Sequence, residues 1–272
     1  MKKSFIKMHG LGNDFAIFDA RQEKCHFNAQ QIRHLGDRRR GIGFDQMIIL
    51  EKPVSPETDI FMRIYNADGS EVEACGNATR CVSFILAGET GRPDVVIETV
   101  AGVLRGHVTG KKVSVDMGPA YLDWKDIPLS HATETISLPI SEGVISNPVA
   151  VNVGNPHAVF FVDQVSDVSL EDVGPKVEYH PLFPERTNVE IAEITSRREI
   201  RMRVWERGVG ITEACGTGAC ATAIAAVRRG LTERKVTVVL DGGALDIEWR
   251  ESDNHVVLTG DVALAYHGEV TA

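Results

Sequence analysis

One segment of this chain occurs twice. Residues 63–76 read RIYNADGSEVEACG and residues 203–216 read RVWERGVGITEACG. At a constant separation of 140 positions, Arg63, Glu73, Ala74, Cys75 and Gly76 fall on Arg203, Glu213, Ala214, Cys215 and Gly216, and Ile64-Tyr65 falls on Val204-Trp205. Weaker matches keep the same order around it. Gly12-Asn13 pairs with Gly154-Asn155, Gln46-Met-Ile-Ile-Leu with Asn188-Val-Glu-Ile-Ala, and Thr99-Val-Ala-Gly-Val-Leu with Leu240-Asp-Gly-Gly-Ala-Leu. Solenoid repeats run to about 20–50 residues, so a duplication this long is no solenoid. It predicts two homologous halves, each the size of a domain.

Each half repeats one coarse pattern. Short β-branched or alternating runs predict strands at 15–18, 47–50, 95–99 and 113–115, then at 149–153, 159–162, 200–205 and 236–240. One helix per half follows the repeated cysteine. The first follows Cys75-Gly76-Asn77 and runs through Cys81, Val82, Phe84 and Ile85 to a stop near Gly88; the second follows Cys215-Gly216-Thr217 and runs through Ala219, Ile224, Ala225 and Val227 to Gly230. Asn77 and Thr217 are the expected N-caps. The second helix is apolar nearly all round, as a helix enclosed by sheet would be. Residues 119–147, with Pro119, Pro128 and Pro139, read as connecting chain with a strand or two.

A cysteine just ahead of a helix stands near the positive end of the helix dipole, which can bring a thiol from pKa ~8.5 down to ~3.5–7.5. The same amides can hold a carboxylate, and the glycine after each cysteine lets a ligand come close to the backbone. Two thiols on opposite faces of an α-carbon whose carboxylate is held are what stereoinversion requires: one removes the proton and the other returns one. Cys75 and Cys215 are therefore the candidate catalytic pair. Cys81 and Cys220 fall inside the helices and read as small core hydrophobes, and Cys25 as structural.

Composition narrows the alternatives. The chain has 29 basic and 38 acidic residues, a net charge of −9 that disfavours nucleic acid as a partner. No apolar run approaches the ~18 residues of a membrane span, and the basic start, Met1 to Gly10, lacks the apolar stretch of a signal peptide. Five cysteines without a secretion signal predict reduced thiols and a cytoplasmic protein. No cysteine pair has CxxC spacing and no His/Asp cluster converges, so no metal is expected. Gly10-Leu-Gly12 and Gly41-Ile-Gly43 lack the third glycine of a dinucleotide fingerprint, and neither a Walker sequence nor a GxSxG elbow occurs. Arg38-Arg39-Arg40 reads as a solvated helix end, His157 alone as a structural histidine, and Glu206-Arg207 alone as a surface ion pair. No cofactor is implied.

Six ordered motifs then carry a resemblance: MHGLGNDF at 8–15, GFDQ at 43–46, NADGSEVEACGNATRC at 66–81, GNPH at 154–157, PERTNVE at 184–190 and ERGVGITEACGTGAC at 206–220. The chain resembles the diaminopimelate epimerases, cofactor-independent isomerases that interconvert LL- and meso-2,6-diaminopimelate. Proline racemases and their kin share the cysteine pair but not typically the NADGSE and ERG segments. One departure is Ala78, where the family commonly has glycine.

The resemblance implies an α/β fold of the α+β type. It consists of two halves, each a mixed or antiparallel sheet curled round a central helix, with the active site in the cleft between them. The halves would be 1–118 plus 261–272, and 119–260, the last strand returning to the first half. By resemblance, Cys215 abstracts the α-proton of the LL isomer and Cys75 reprotonates, while His157 and Glu206 tune the protonation of the thiols. Gly76, Asn77, Gly216 and Thr217 would hold the reacting carboxylate. Asn13, Gln46, Asn66, Asn155, Asn188, Glu206 and Arg207 would bind the rest of the substrate. A homodimer with Tyr266 at its interface is implied too. The alternatives are a racemase of proline, hydroxyproline or histidine on the same fold, or a non-catalytic thiol redox or metal-binding protein.

Overall fold

The two-residue turn Leu11-Gly12, with φ of 55° and 87°, returns β1 (Lys2–Gly10) antiparallel onto β2 (Asn13–Asp19). Positive φ at both turn positions matches the right-handed twist of the flanking strands. The computed structural model describes residues 2–23, 25–73 and 75–271; Ala74 of the first EACG segment lies outside them. By packing, the chain divides into two units, residues 1–116 with 260–272, and residues 117–259.

In the first unit, α1 (Ala29–Gly36) carries the chain from β2 to β3 (Gln46–Glu51), which runs parallel to it. β4 (Ile60–Asn66) returns antiparallel to β3 and turns into the short β5 (Glu71–Val72). α2 (Gly76–Thr90) then crosses to β6 (Asp94–Thr99), which is parallel to β4. β7 (Gly102–Thr109) and β8 (Lys112–Pro119) complete an antiparallel meander.

The second unit opens with a hairpin of β9 (Ser141–Glu142) and β10 (Ile145–Ser146) and then repeats the same plan. β11 (Val149–Asn152) and β12 (Pro156–Phe161) are antiparallel. α3 (Leu170–Glu178) crosses to β13 (Asn188–Ser196), parallel to β12. β14 (Glu199–Glu206) and β15 (Gly210–Thr212) follow antiparallel, and α4 (Gly216–Arg228) crosses to β16 (Lys235–Leu240), parallel to β14. β17 (Gly243–Trp249) and β18 (His255–Asp261) close the meander. Every pairing from β11 to β18 has its counterpart of the same sense in the first unit, so the duplication read from EACG extends to the topology outside the β9–β10 hairpin. The last strand, β19 (Ala263–Thr271), pairs antiparallel with β1 in the first unit.

The helix that follows each cysteine is the centre of its unit's core. Every residue of α4 from Gly218 to Ala226 is buried, and so is every residue of α2 from Gly76 to Ser83. Alanine, glycine and threonine dominate the α4 stretch, and small side chains let strands close round a helix on several sides. Cys81 and Cys220 are fully buried in that packing and Cys25 lies in the first unit's core, as their sequence positions predicted.

Three local expectations fail. The N-caps are Cys75 and Cys215, not Asn77 and Thr217, because each thiol itself accepts the amide three residues on. The first helix does not stop at Gly88 but runs on to Thr90, where Gly91 at φ 70° terminates it. The proline-rich stretch 119–147 does hold the expected short strands, β9 and β10, but it is more than connecting chain. Ile127, Leu129, Leu138, Ile140 and Ile145 are buried in the second unit's core, an irregular segment fixed by its apolar side chains rather than by periodicity.

Candidate active site

Both cysteines occupy the same structural position. Cys75 and Cys215 have extended backbones, with φ of −150° and −129°, at the entry to α2 and α4. The Cys75 sulfur accepts the Ala78 amide at 3.5 Å, and the Cys215 sulfur accepts the Gly218 amide at 3.3 Å. Each thiol thus sits over the open amides of a helix start. Their settings differ: Cys75 is half-buried and Cys215 is 5% exposed.

Strand register gathers the other candidates at the cysteine end of each sheet. In the first unit Phe15 pairs with Gln46, and Gln46 with Asn66, so the ends of β2, β3 and β4 line up. Gln46 Nε2 donates to Asn66 Oδ1 at 3.2 Å, and Asn66 Nδ2 donates to Ser70 at 3.1 Å. Asn77 Nδ2, on the first turn of α2, donates to Asn13 Oδ1 at 3.1 Å, and Asn13 Nδ2 donates to Asp45 at 3.0 Å. Among the described residues Gln46 Oε1 and Asn77 Oδ1, both buried, have no hydrogen-bond partner, an arrangement that costs stability unless a ligand supplies the donor. Arg38 is no solvated bystander. It bridges Asp14 at 2.8 Å and Asp45 at 2.7 Å, and Lys7 meets Asp14 at 2.6 Å, so a charged network holds the carboxylate that orients Asn13.

In the second unit the equivalent register pairs His157 with Asn188. Asn188 Oδ1 accepts the Arg207 backbone amide at 2.9 Å, while its Nδ2 donates to Pro156 O at 3.0 Å. Glu206 Oε1 accepts the Thr212 hydroxyl, and Thr217 Oγ1 lies 3.5 Å from the Cys215 sulfur. His157 is fully buried, its Nδ1 2.6 Å from Glu190 and its Nε2 2.7 Å from Asn155 Oδ1. The Arg207 guanidinium donates to Glu185 O at 3.0 Å, anchored by backbone and half-buried. Glu178, on α3, is buried too; it accepts Trp205 Nε1 at 2.7 Å and the Gly208 amide at 3.0 Å, bracketing Glu206-Arg207 from both sides.

The helix-start argument anticipates a lowered thiol pKa, and for Cys215 the direction is the reverse. Burial pushes the thiol well above its ordinary value, and the carboxylates of Glu206 and Glu190 add to the push. The hydrogen bonds from Thr217 and Gly218 pull the other way but do not outweigh them. Burial likewise pushes Cys81 up to about 12, which fits an inert core thiol.

Sequence reasoning missed Glu190, Thr212, Asp45 and Glu178. A signal for Glu190 was present. In the aligned strands Gln46-Met-Ile-Ile-Leu and Asn188-Val-Glu-Ile-Ala it is a carboxylate standing where the other copy has Ile48.

Comparison with known proteins adds the family. A family model described as diaminopimelate epimerase matches residues 5–122 and 149–265. A diaminopimelate epimerase of Rhodospirillum centenum is 51% identical over 272 residues, covering 100% of this chain and 93% of that protein. One of Erythrobacter litoralis is 53% identical over 269 residues, with 98% and 97% covered. Among solved structures, a phenazine biosynthesis protein of the PhzF family from Bacillus anthracis has a TM-score of 0.72 at 14% identity, covering 100% of both chains. A hydroxyproline epimerase from Agrobacterium vitis, with bound trans-4-hydroxy-L-proline, has a TM-score of 0.71 at 14% identity, covering 99% of this chain and 92% of that one. At that identity the likeness is one of fold.

Proposed function

The chain belongs to the diaminopimelate epimerase family, and from this we infer that it is an isomerase interconverting LL- and meso-2,6-diaminopimelate by a two-base reaction of its cysteines. The observation that carries the substrate is the half-identity to diaminopimelate epimerases along the whole chain. The observation that supports the mechanism is the pair of equivalent N-cap thiols, Cys75 and Cys215.

Inversion needs one thiolate and one thiol on opposite faces of the same α-carbon. In the LL-to-meso direction the Cys215 thiolate takes the α-proton and becomes a thiol, while the Cys75 thiol delivers its proton to the other face and becomes a thiolate. The reverse reaction exchanges the roles. Since burial and two carboxylates oppose a Cys215 thiolate in the ligand-free protein, forming it requires the substrate's own ammonium groups or their desolvated arrangement to offset that push. His157 and Glu206 modulate this protonation. Amides at Gly76, Asn77, Gly216 and Thr217 hold the reacting carboxylate and stabilise the carbanionic transition state by fixed dipoles, which stands in for a cofactor's electron sink. Asn13, Gln46, Asn66, Asn155, Asn188, Glu206 and Arg207 bind the distal amino-acid head, whose carboxylate suits Arg207 and whose ammonium suits carbonyl and carboxylate oxygens.

The family implies a homodimer with Tyr266 at its interface. Supporting this, Tyr266 and Leu264 of β19 are 46% and 52% exposed, a large apolar surface for a strand. A cytoplasmic location agrees with five reduced cysteines; among the described residues no helix is long and apolar enough to cross a membrane.

The test is the purified, reduced protein offered LL-diaminopimelate, L-proline, hydroxyproline and histidine in deuterated water. Inversion with deuterium incorporation at the α-carbon of diaminopimelate alone is expected. Turnover of one of the others in its place would overturn the substrate assignment.

A further inference from the structure

Beyond opposing the Cys215 thiolate, Glu190 has no assigned role in the reaction described above, yet it is completely buried. Its Oε1 lies 2.6 Å from His157 Nδ1, both side chains are 0% exposed, and among the described residues its Oε2 has no hydrogen-bond partner. A Cβ built on Gly218 would stand 2.9 Å from that Oε1 and 3.2 Å from the Cys215 sulfur, so carboxyl and thiol crowd the same glycine. The other ring nitrogen, Nε2, lies 2.7 Å from Asn155 Oδ1. Among the described residues the first unit has no such dyad. At the equivalent register of its parallel strands stand Phe15 and Ile48.

We propose that Glu190 is the positioning residue for His157: by engaging Nδ1 it keeps a hydrogen on Nε2, and that hydrogen fixes the amide of Asn155 with Oδ1 toward the ring and Nδ2 toward substrate. This rests on the reading that Asn155 binds the substrate. Two proton arrangements leave the buried pair without net charge. Either the carboxylate accepts from an imidazolium, or the carboxylic acid donates to the Nδ1 of a neutral ring. Nε2 carries a hydrogen in both, as an acceptor at Asn155 Oδ1 requires. The third arrangement, a carboxylate beside a neutral ring protonated on Nδ1, buries an uncompensated charge with one oxygen unpartnered and points a bare nitrogen at an amide oxygen. Burial, which pushes the Glu190 carboxyl up against the opposing pull of His157, disfavours it as well.

The experiment compares the full-length wild type with Glu190→Gln and Glu190→Leu. The glutamine amide can donate to Nδ1 as the acid would, without charge; leucine cannot. Ring 15N spectra of the ligand-free proteins at neutral pH, with His157 assigned by its loss in His157→Gln, should show Nε2 protonated in the wild type and in Glu190→Gln. They should show a mixture of tautomers in Glu190→Leu. In turnover of LL-diaminopimelate, Glu190→Gln should keep kcat/KM within about threefold, and Glu190→Leu should lose about thirtyfold or more. A wild-type ring lacking the Nε2 hydrogen, a folded Glu190→Leu with wild-type kcat/KM, or a Glu190→Gln as impaired as the leucine variant would each overturn the proposal. If Glu190→Leu does not fold, Glu190→Met gives the same comparison, and the wild-type spectrum decides without any variant. Because the spectra need no substrate, they stand even if diaminopimelate is not turned over, which would instead refute the functional reading.

Discussion

Adding one methyl group at Gly218 opposes two physical effects whose magnitudes can be set against each other. Gly218 lies on the first turn of α4, where alanine improves helix propensity by at most about 1 kcal/mol. Its counterpart Ala78, on α2, already carries that Cβ and is fully buried. In the second unit the Cβ would meet Glu190 Oε1 at 2.9 Å, the Cys215 sulfur at 3.2 Å and Cys215 Cβ at 3.3 Å. The carboxyl cannot swing aside cheaply, being fully buried and bonded to His157 at 2.6 Å. Overpacking of this kind costs about 1–3 kcal/mol, so Gly218→Ala should be destabilising by about 1 kcal/mol net. That corresponds to a fall in Tm of roughly 2–4 °C for a chain of this size. Activity should suffer more than stability, since displacing the thiol by a fraction of an ångström disturbs the reacting geometry; a loss near a hundredfold in kcat is expected. Calorimetry and a coupled diaminopimelate assay measure both. A Gly218→Ala enzyme with a raised Tm and unchanged kcat would show that helix propensity dominates and that Glu190 and Cys215 have room to spare.

Cys75→Ser and Cys215→Ser should each nearly abolish inversion, because a hydroxyl is a far weaker acid than a thiol; near-wild-type epimerisation by either variant would refute the two-base mechanism. In deuterated water the first meso product from LL substrate should carry solvent deuterium at the inverted carbon, and an unlabelled early product would point to a single base. Arg207→Lys should lower kcat/KM roughly a hundredfold, since an ammonium can neither keep the fork geometry on a carboxylate nor reach Glu185 O in the same way; unchanged kinetics would remove Arg207 from the site. The Asp14 carboxyl, raised by burial but lowered further by Arg38 and Lys7, titrates at about 2. A folded value below the unfolded one of ~3.9 means stability that is complete above about pH 4 and lost as the pH falls toward about 2. Asp14→Asn should therefore show a shallower decline of Tm across that window, and an unaltered decline would count against the network.

The sequence was most legible where the two copies agree. EACG recurs because both helices begin with the same device, a thiol that caps its own helix, and the conserved glycine after it opens the helix start. Motif order alone predicted two matching halves, while their sheet architecture was implied only by the family resemblance; the β2–β3 and β12–β13 pairings do share one register. What escaped reading depends on contacts across sequence distance. Asp45 reaches Asn13 across 32 positions and Glu178 reaches Trp205 across 27, and no periodicity encodes such pairs. The thiol pKa was misjudged for the same reason. Position at a helix start is local and visible in the sequence, whereas the burial that overrides it at Cys215 is a property of the packed unit.

The differences between the copies carry as much chemistry as the likeness. Strand register sets Phe15 against His157, Ile48 against Glu190 and Asn66 against Glu206. At all three equivalent positions the first copy is apolar or neutral and the second is titratable, so the two thiols stand in unlike surroundings although their backbones are alike. Under the two-base reading proposed above, one thiol holds a proton while the other lacks it; a coupled pair shares one proton between its two macroscopic pKa values even where its members are equal, and unlike surroundings bias which thiol holds it. Duplication supplied the matched N-cap geometry, and two of the three divergent positions, Glu206 and Glu190, join burial in pushing the Cys215 thiol up.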